Sequence, residues 1–330
     1  MKENSSDSLS VAMCTYNGAA YLAAQLQSLA AQTRVPDELV VSDDDSRDGT
    51  RAILEEFAAR APFPVRLYFN EQNIGSTRNF EQVIGFCEGD IIALSDQDDV
   101  WLPEKLQRLC AALEVAPDAG LAFSDAEVVD EDLRPLGQRL WQCFNFGPAE
   151  QELFRRGRAF DVLFVKNVVT GTTMAFRAQF RELVLPIPAL SSAIHDGIVA
   201  LMIAAVADVV PVSEPLVLYR KHTGQQIGPR LPETSAATWV TTARHTDAHD
   251  YMNVAEQLRT IHERLAAYTR ATPRVAAMRQ LTSRIAHLEA RANMPRRRLR
   301  RLPAVLKELL ALRYHQHSNG LASAAKDLLF

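Results

Sequence analysis

From Leu9 onward, short apolar runs alternate with segments whose apolar residues recur every three or four positions. "LSVAMC", "ELVVSD", "VRLYF" and "DIIALSD" read as strands, and helices are expected between them from about Ala19, Asp48 and Ser76. In the first helix Leu22, Leu26 and Leu29 stand at i, i+4 and i+7, one stripe for burial. Such alternation predicts an α/β fold, a mostly parallel Rossmann-like sheet flanked by helices.

After a helix opening near Pro103 come "GLAFSDAEVVD", a looser segment, a short strand at "GTTMAF", an apolar helix after Asp196, and strands around Val209 and Leu216. Beyond about Pro232 the pattern turns to long helical segments without strands, rich in Ala, Arg, Leu and Glu. We therefore expect an α/β domain over 1–230 and a helical C-terminal region over 231–330.

Composition narrows the class. An apolar content of 47% supports a full core, and a net charge of −4 argues against nucleic acid as a partner of the whole chain. Cys14, Cys87, Cys110 and Cys143 lack metal or disulfide spacing and read as small buried hydrophobes in a reducing, cytoplasmic setting. No secretory pattern or apolar run of about 18 residues is present, so neither export nor spanning is expected.

The unusual residues fall at strand ends, where open α/β sheets bind ligands. The first strand ends in "TYNG", the second in "SDDDSRDGT" and the fourth in "SDQDDVW". Each alone suits a turn or a helix cap, with Asn17 and Gly18 in a turn and Ser46 or Asp48 capping. Their convergence on one cleft calls for a positive partner, and Mg²⁺ or Mn²⁺ suits hard oxygen ligands. Asp96 and Asp98 would leave an extended segment on the same side while Gln97 turns away. An EF-hand is excluded because Val100 and Trp101 stand where its oxygen ligand and glycine belong. A cation held by few carboxylates shares its shell with a diphosphate, yet neither a P-loop nor G-x-G-x-x-G is present, so a nucleotide sugar fits better than ATP or NAD.

Seven ordered motifs, "VAMCTYNGAAYL", "LVVSDDDSRDGT", "NEQNIGSTRNF", "GDIIALSDQDDVW", "TGTTMAFR", "HDGIVAL" and "YRKHTGQQIG", resemble family two glycosyltransferases of the GT-A fold. More narrowly they resemble rhamnosyltransferase-type members that build bacterial surface polysaccharides such as O-antigen. The resemblance implies that Thr15, Tyr16 and Asn17 form the loop packing on the base, and that Asp43 and Asp44 hydrogen-bond base and ribose. It puts Arg78 facing the nucleotide, Asp96 towards ribose, Asp98 on the metal and Asp196 as catalytic base. His222, with Arg220, falls in the segment closing over the diphosphate; it could be a diphosphate donor, the favoured reading, a further metal ligand or a loop residue. Asp99 either caps the following helix or supports the metal shell, His195 orients or faces the acceptor, and Trp101 anchors the loop or borders the sugar pocket. Two departures stand out: Asp45 where the family usually has Gly or Asn, and Gly197 where related rhamnosyltransferases often carry Trp.

The resemblance implies inverting transfer from dTDP-rhamnose or a UDP-sugar onto a growing glycan. A sugar nucleotidyltransferase would carry a Gly-rich basic loop after its first strand, and a non-catalytic scaffold would not need both metal pair and base. From Arg296 to Arg313 seven basic residues face the single acid Glu308, with leucines spaced for one helical face. That pattern is expected to lie on an anionic membrane, giving peripheral inner-face association near a polyprenyl-linked acceptor. The helices from about 233 to 290 could instead form a homo-oligomer interface.

Overall fold

The structure, a computed structural model, describes residues 7–188, 190, 194–223, 248–295 and 297–329. The boundary expected near residue 230, and "GQQIG" of the last motif, lie outside the described residues. Two compact units are distinguished, Met1–Ile187 with Ala193–Leu231, and Pro188–Ser192 with Pro232–Phe330.

The first unit opens with β1 (Leu9–Thr15), α1 (Leu22–Ala30), β2 (Glu38–Asp43), α2 (Thr50–Ala58), β3 (Val65–Phe69), α3 (Ser76–Phe86) and β4 (Ile91–Ser95). It continues through β5 (Val100–Trp101), α4 (Lys105–Val115), β6 (Ala119–Val129), β7 (Pro135–Arg139), α5 (Leu140–Cys143), α6 (Pro148–Arg155) and α7 (Ala159–Leu163). A 3₁₀ turn at Gly171–Thr173 leads into β8 (Met174–Arg177), followed by α8 (Arg181–Val184), α9 (His195–Ala204) and β9 (Asp208–Arg220).

The sheet runs β3-β2-β1-β4-β8-β6-β9-β5, with β7 beside β6. β1 is buried along its whole length because parallel neighbours flank it and helices cover both faces, so it reads as a continuous apolar run. Leu22, Leu26 and Leu29 of α1 join Leu9, Val11 and Met13 of β1 in the core. The chain steps outward through β2 and β3, then returns to place β4 on the other side of β1. That reversal opens a crevice at the carboxyl ends of β1 and β4.

Two sequence expectations shift. Helices α1 and α2 begin at Leu22 and Thr50 because the residues before them tie two loops together. The strands expected around Val209 and Leu216 are one strand; its register jumps where Val212 pairs with Ser124 and Pro215 with Asp125, a bulge that accommodates a proline the ladder would otherwise reject.

The second unit contains α10 (Ala248–Ala267), α11 (Val275–Ala292), α12 (Leu302–Leu310), α13 (Arg313–His317) and α14 (Gly320–Leu329). Its small apolar cluster of Val305, Tyr314 and Ala324 is supplemented by a buried polar network. Arg291 makes two hydrogen bonds to Asp327, at 2.7 and 2.8 Å, and Tyr314 donates to the same carboxylate at 2.6 Å. His287 Nδ1 lies 2.8 Å from Glu308 Oε2.

Candidate active site

The loops after β1 and β2 are knitted to each other. Asn17 N donates to Ser46 Oγ, Gly18 N to Thr50 Oγ1 and Ala19 N to Asp48 Oδ2, while Arg47 N donates back to Asn17 Oδ1. Asp48 also accepts from Thr50 N at 3.0 Å and from Thr50 Oγ1 at 2.6 Å, just ahead of α2, whose N-cap is Gly49. Asp45 adopts a left-handed conformation, φ 65°, which explains why Gly or Asn suits this position. Its extra charge is paired with Arg47 at 2.6 Å.

Asp43 and Asp44, expected to meet base and ribose, are both buried. Asp43 accepts from Thr15 Oγ1 at 2.7 Å and from Ser46; Asp44 accepts from Asn70, Ile74 N and Gly75 N. In this state their carboxylates order the two loops and the entry to α3 rather than presenting surface to the crevice. Tyr16 is the half-exposed side chain of this region, 49% accessible. Arg78 lies on α3, where it ion-pairs with Glu81 at 2.9 Å and is largely exposed; it is not drawn into the acid cluster.

Gln97 does turn from Asp96 and Asp98, but onto the first loop. Its amide accepts from Tyr16 N at 2.8 Å and donates to Tyr16 O at 3.0 Å. A Cβ on Gly18 would sit 2.1 Å from Gln97 Oε1, so this close approach requires glycine.

The carboxylates of Asp96, Asp98, Asp99 and Asp196 crowd one region. Burial, with Asp98 and then Asp196 adding repulsion, pushes the Asp96 carboxyl up to about 8. Asp99 is raised well above the carboxylate range by burial and by Asp98 and Asp96. The charge of nearby Lys105 offsets part of this repulsion at Asp96. Lys105 is buried 3.0 Å from the Trp101 ring centroid, and its Nζ has no hydrogen-bond partner among the described residues. Arg220 spends its guanidinium on the carbonyls of Asp98 and Glu131 and on the face of Tyr21.

Asp99 does not cap α4, whose N-cap is Glu104. It accepts from Arg220 N at 2.9 Å, fastening the acidic loop to the end of β9. The same fastening brings His222 to Asp98, Nε2 to Oδ2 at 2.9 Å, with its ring 4.6 Å from that of Tyr21. Trp101 is buried and donates to Thr172 Oγ1, anchoring the loop as expected.

Asp98 and His222 thus form a two-donor set beside the crowded carboxylates, which suits a divalent cation. Among the described residues no group of three or more His, Cys, Asp or Glu side chains forms a cage of its own. Water and phosphate oxygens would complete such a shell.

Asp196 sits in the first turn of α9, and Gly171 N donates to its Oδ2 at 3.0 Å while Asn167 Nδ2 donates to Oδ1 at 3.2 Å. Burial raises its pKa to about 6, the raise being opposed by the donors Gly197 N, Gly171 N and Asn167. It is thus an ionised carboxylate near neutrality with a proton affinity above that of an ordinary aspartate. Gly197 has a local reason: an added Cβ would lie 3.0 Å from Asn167 Cγ and Nδ2, so glycine admits the amide that holds Asp196.

A Cβ on Gly171 would stand in ordinary contact 3.4 Å from His195 Nε2 and 3.7 Å from Asp96 Oδ2, so this backbone passes between the acid cluster and Asp196. His195 stacks on Phe80, centroids 3.9 Å apart, and neither ring nitrogen has a hydrogen-bond partner among the described residues. Burial lowers its pKa to about 3, so it is a neutral imidazole.

Sequence reasoning brought Asp96, Asp98, Asp196 and His222 to one place. It missed Gln97 as a loop staple, Asn167 as the partner of Asp196, and Gly171; the last was visible as an isolated glycine opening "TGTTMAFR".

A mixed, mostly parallel sheet with an acidic cluster at its strand ends and helices around it defines a GT-A-type fold. The family model described as Glycosyl transferase family 2 matches residues 10–184, and the chain belongs to that family. An uncharacterised glycosyltransferase of Nostoc sp. is 28% identical over 220 residues, 65% of this chain and 65% of that protein. The dTDP-rhamnosyl transferase RfbG of Shigella flexneri is 34% identical over 99 residues, 29% of this chain and 34% of that one. The matches over 220 residues span 59% to 65% of the curated relatives' own length. Among solved structures, Staphylococcus aureus TarS 1–349 in complex with UDP-GlcNAc superposes with a TM-score of 0.58 at 17% identity, over 97% of this chain and 88% of that one.

Proposed function

We propose that this chain is an inverting, metal-dependent glycosyltransferase that moves a sugar from a nucleoside diphosphate donor, dTDP-rhamnose or a UDP-sugar, onto a growing bacterial surface glycan. The observation that carries this reading is the crowding of Asp96, Asp98 and Asp196 in one region, where Asp98 and Asp196 both raise the Asp96 carboxyl and His222 meets Asp98. Asp98 and His222 would hold Mg²⁺ or Mn²⁺, and the cation would offset the charge developing on the departing diphosphate. The name of the Shigella relative supports dTDP-rhamnose as donor.

The chain's own residues divide the rest. Thr15, Tyr16 and Asn17 would wall the nucleotide pocket, and the exposure of the Tyr16 ring supports a role in stacking on a base. Asp43 and Asp44 keep that wall in place, and Asp96 faces the ribose side. Arg78 is assigned to the outer approach to the nucleotide, where releasing Glu81 would free its guanidinium. Asp196 accepts the proton of the acceptor hydroxyl as its oxygen attacks the anomeric carbon. A single displacement assisted by one base inverts that carbon. The acceptor is read as a glycan on a polyprenyl carrier, met by a chain working peripherally at the inner face of the cell membrane. No described helix is long and apolar enough to cross a membrane.

The test is a panel of nucleotide sugars with Mn²⁺, with Mg²⁺ and with chelator, read by thermal shift and donor hydrolysis. Asp98→Ala should abolish the metal-dependent response. A chain that no nucleoside diphosphate stabilises under any metal condition is not this enzyme.

A further inference from the structure

The second unit presents an apolar face that its own packing does not cover. On α12, Val305 and Glu308 are buried, whereas Leu302, Leu306 and Leu310, one turn apart, are 49%, 47% and 84% exposed. Helical spacing sets these three leucines along one side of the helix. Leu312, which follows with a left-handed backbone, is 56% exposed. Arg297, Arg298 and Arg300, just before α12, and Lys307 within it are exposed as well.

The charge arrangement is one-sided. Residues 294–329 contain two acids, Glu308 and Asp327, and both are buried and paired. Glu308 is held by His287 and by Arg313, each at 2.8 Å, and Asp327 by Arg291 and Tyr314. These buried bonds fix the rotation of α12. Turning its leucines inward would expose Glu308 and strand His287 without its partner, at the cost of breaking a buried pair. The leucines therefore face outward because the polar core holds them there, and the surface around them bears cations and no carboxylate from this segment.

We propose that this face of α12, with Arg297, Arg298, Arg300 and Lys307, docks onto an anionic lipid bilayer. The leucines enter the acyl boundary while the cations meet headgroup phosphates, and the long stems of Arg and Lys let both contacts form together. Charge complementarity selects this occupant over a second copy of the chain, because two such faces would oppose cation to cation. As the means of reaching a membrane-borne acceptor this face rests on the reading above; as a surface it stands on α12 alone.

The full chain, without donor or acceptor, is sedimented with vesicles of equal parts phosphatidylglycerol and phosphatidylcholine, and separately with pure phosphatidylcholine, at low and high salt. Binding to the anionic vesicles, weakened by salt and absent from the neutral ones, is expected. Arg298→Glu with Arg300→Glu should lower partitioning roughly fivefold per charge removed. Leu306→Asp with Leu310→Asp should lower it about tenfold or more. All four positions are exposed or half-exposed, and an unchanged melting temperature checks each variant's fold. Donor hydrolysis measured without vesicles should be the same in every variant, which separates failure of this surface from failure of the catalytic reading. Equal binding to neutral and anionic vesicles, or none at low salt, overturns the proposal. So does a dimer in light scattering that the leucine variants dissociate while vesicles remain unbound.

Discussion

Nε2 of His222 lies 2.9 Å from Oδ2 of Asp98, although the two residues are 124 positions apart. That separation is a hydrogen bond or ion pair, kept by the bonds from Arg220 to Asp99 Oδ1 and to the carbonyl of Asp98, and under the proposed function both side chains would hold the same cation. His222→Ala is expected to weaken Mn²⁺-supported donor binding about 10- to 100-fold, and Asp98→Asn further. A thermal-shift titration of Mn²⁺ at fixed nucleoside diphosphate checks both. An unchanged Mn²⁺ dependence in His222→Ala would return this histidine to the diphosphate or to the loop.

Asp196 should set the acidic limb of the pH profile. A general base works only when ionised, and burial raises this carboxyl from its ordinary value to about 6. Turnover should accordingly rise with pH up to about 6 and flatten above it, losing about tenfold per unit on the acid side. Asp196→Asn should lower kcat by roughly 10²- to 10⁴-fold with donor KM little changed. A variant that keeps wild-type turnover would remove Asp196 from the proton path.

Much of this was legible from the chain. Apolar runs gave the inner strands because β1, β2 and β4 are buried on both faces, and acids at their ends gave the crevice. Residue type alone did not reveal which acids face outward. Asp43 and Asp44 stand beside the nucleotide loops, yet their oxygens are taken by Thr15, Ser46, Asn70 and the amides before α3. Those partners sit 3 to 31 positions away, beyond what a local pattern conveys. Asp99 illustrates the same limit: sequence offered a cap or a metal shell, and one of its partners is a backbone amide 121 residues on.

Gly18 and Gln97 make a lock that substitution should open. An alanine Cβ at 18 would stand 2.1 Å from Gln97 Oε1, so the amide must swing out and release both its bonds to Tyr16. Gly18→Ala is expected to raise donor KM about tenfold while kcat changes less, because the role proposed for the Tyr16 loop is to meet the nucleotide and not the reacting bond. Gln97→Ala should do the same. The double variant should be no worse than either single, since both act through one bridge. Additive losses would show that Gly18 matters for another reason.

Asn167 and Gly197 define how the base is tuned. The amide of Asn167 donates to Asp196 Oδ1 and accepts from Val169 N at 3.1 Å, so it is held from both ends. Its bond favours the ionised carboxylate and lowers the pKa that burial raises. Removing it in Asn167→Ala should move the acidic limb of the rate profile upward by roughly one pH unit. Gly197→Ala should act in the same direction, because its Cβ would press within 3.0 Å of the amide and displace it. Gly197→Trp should abolish turnover. Activity at a pH well above the shifted limb would recover in Asn167→Ala if the amide only tunes Asp196, whereas a loss equal at every pH would mean that it positions the carboxylate instead.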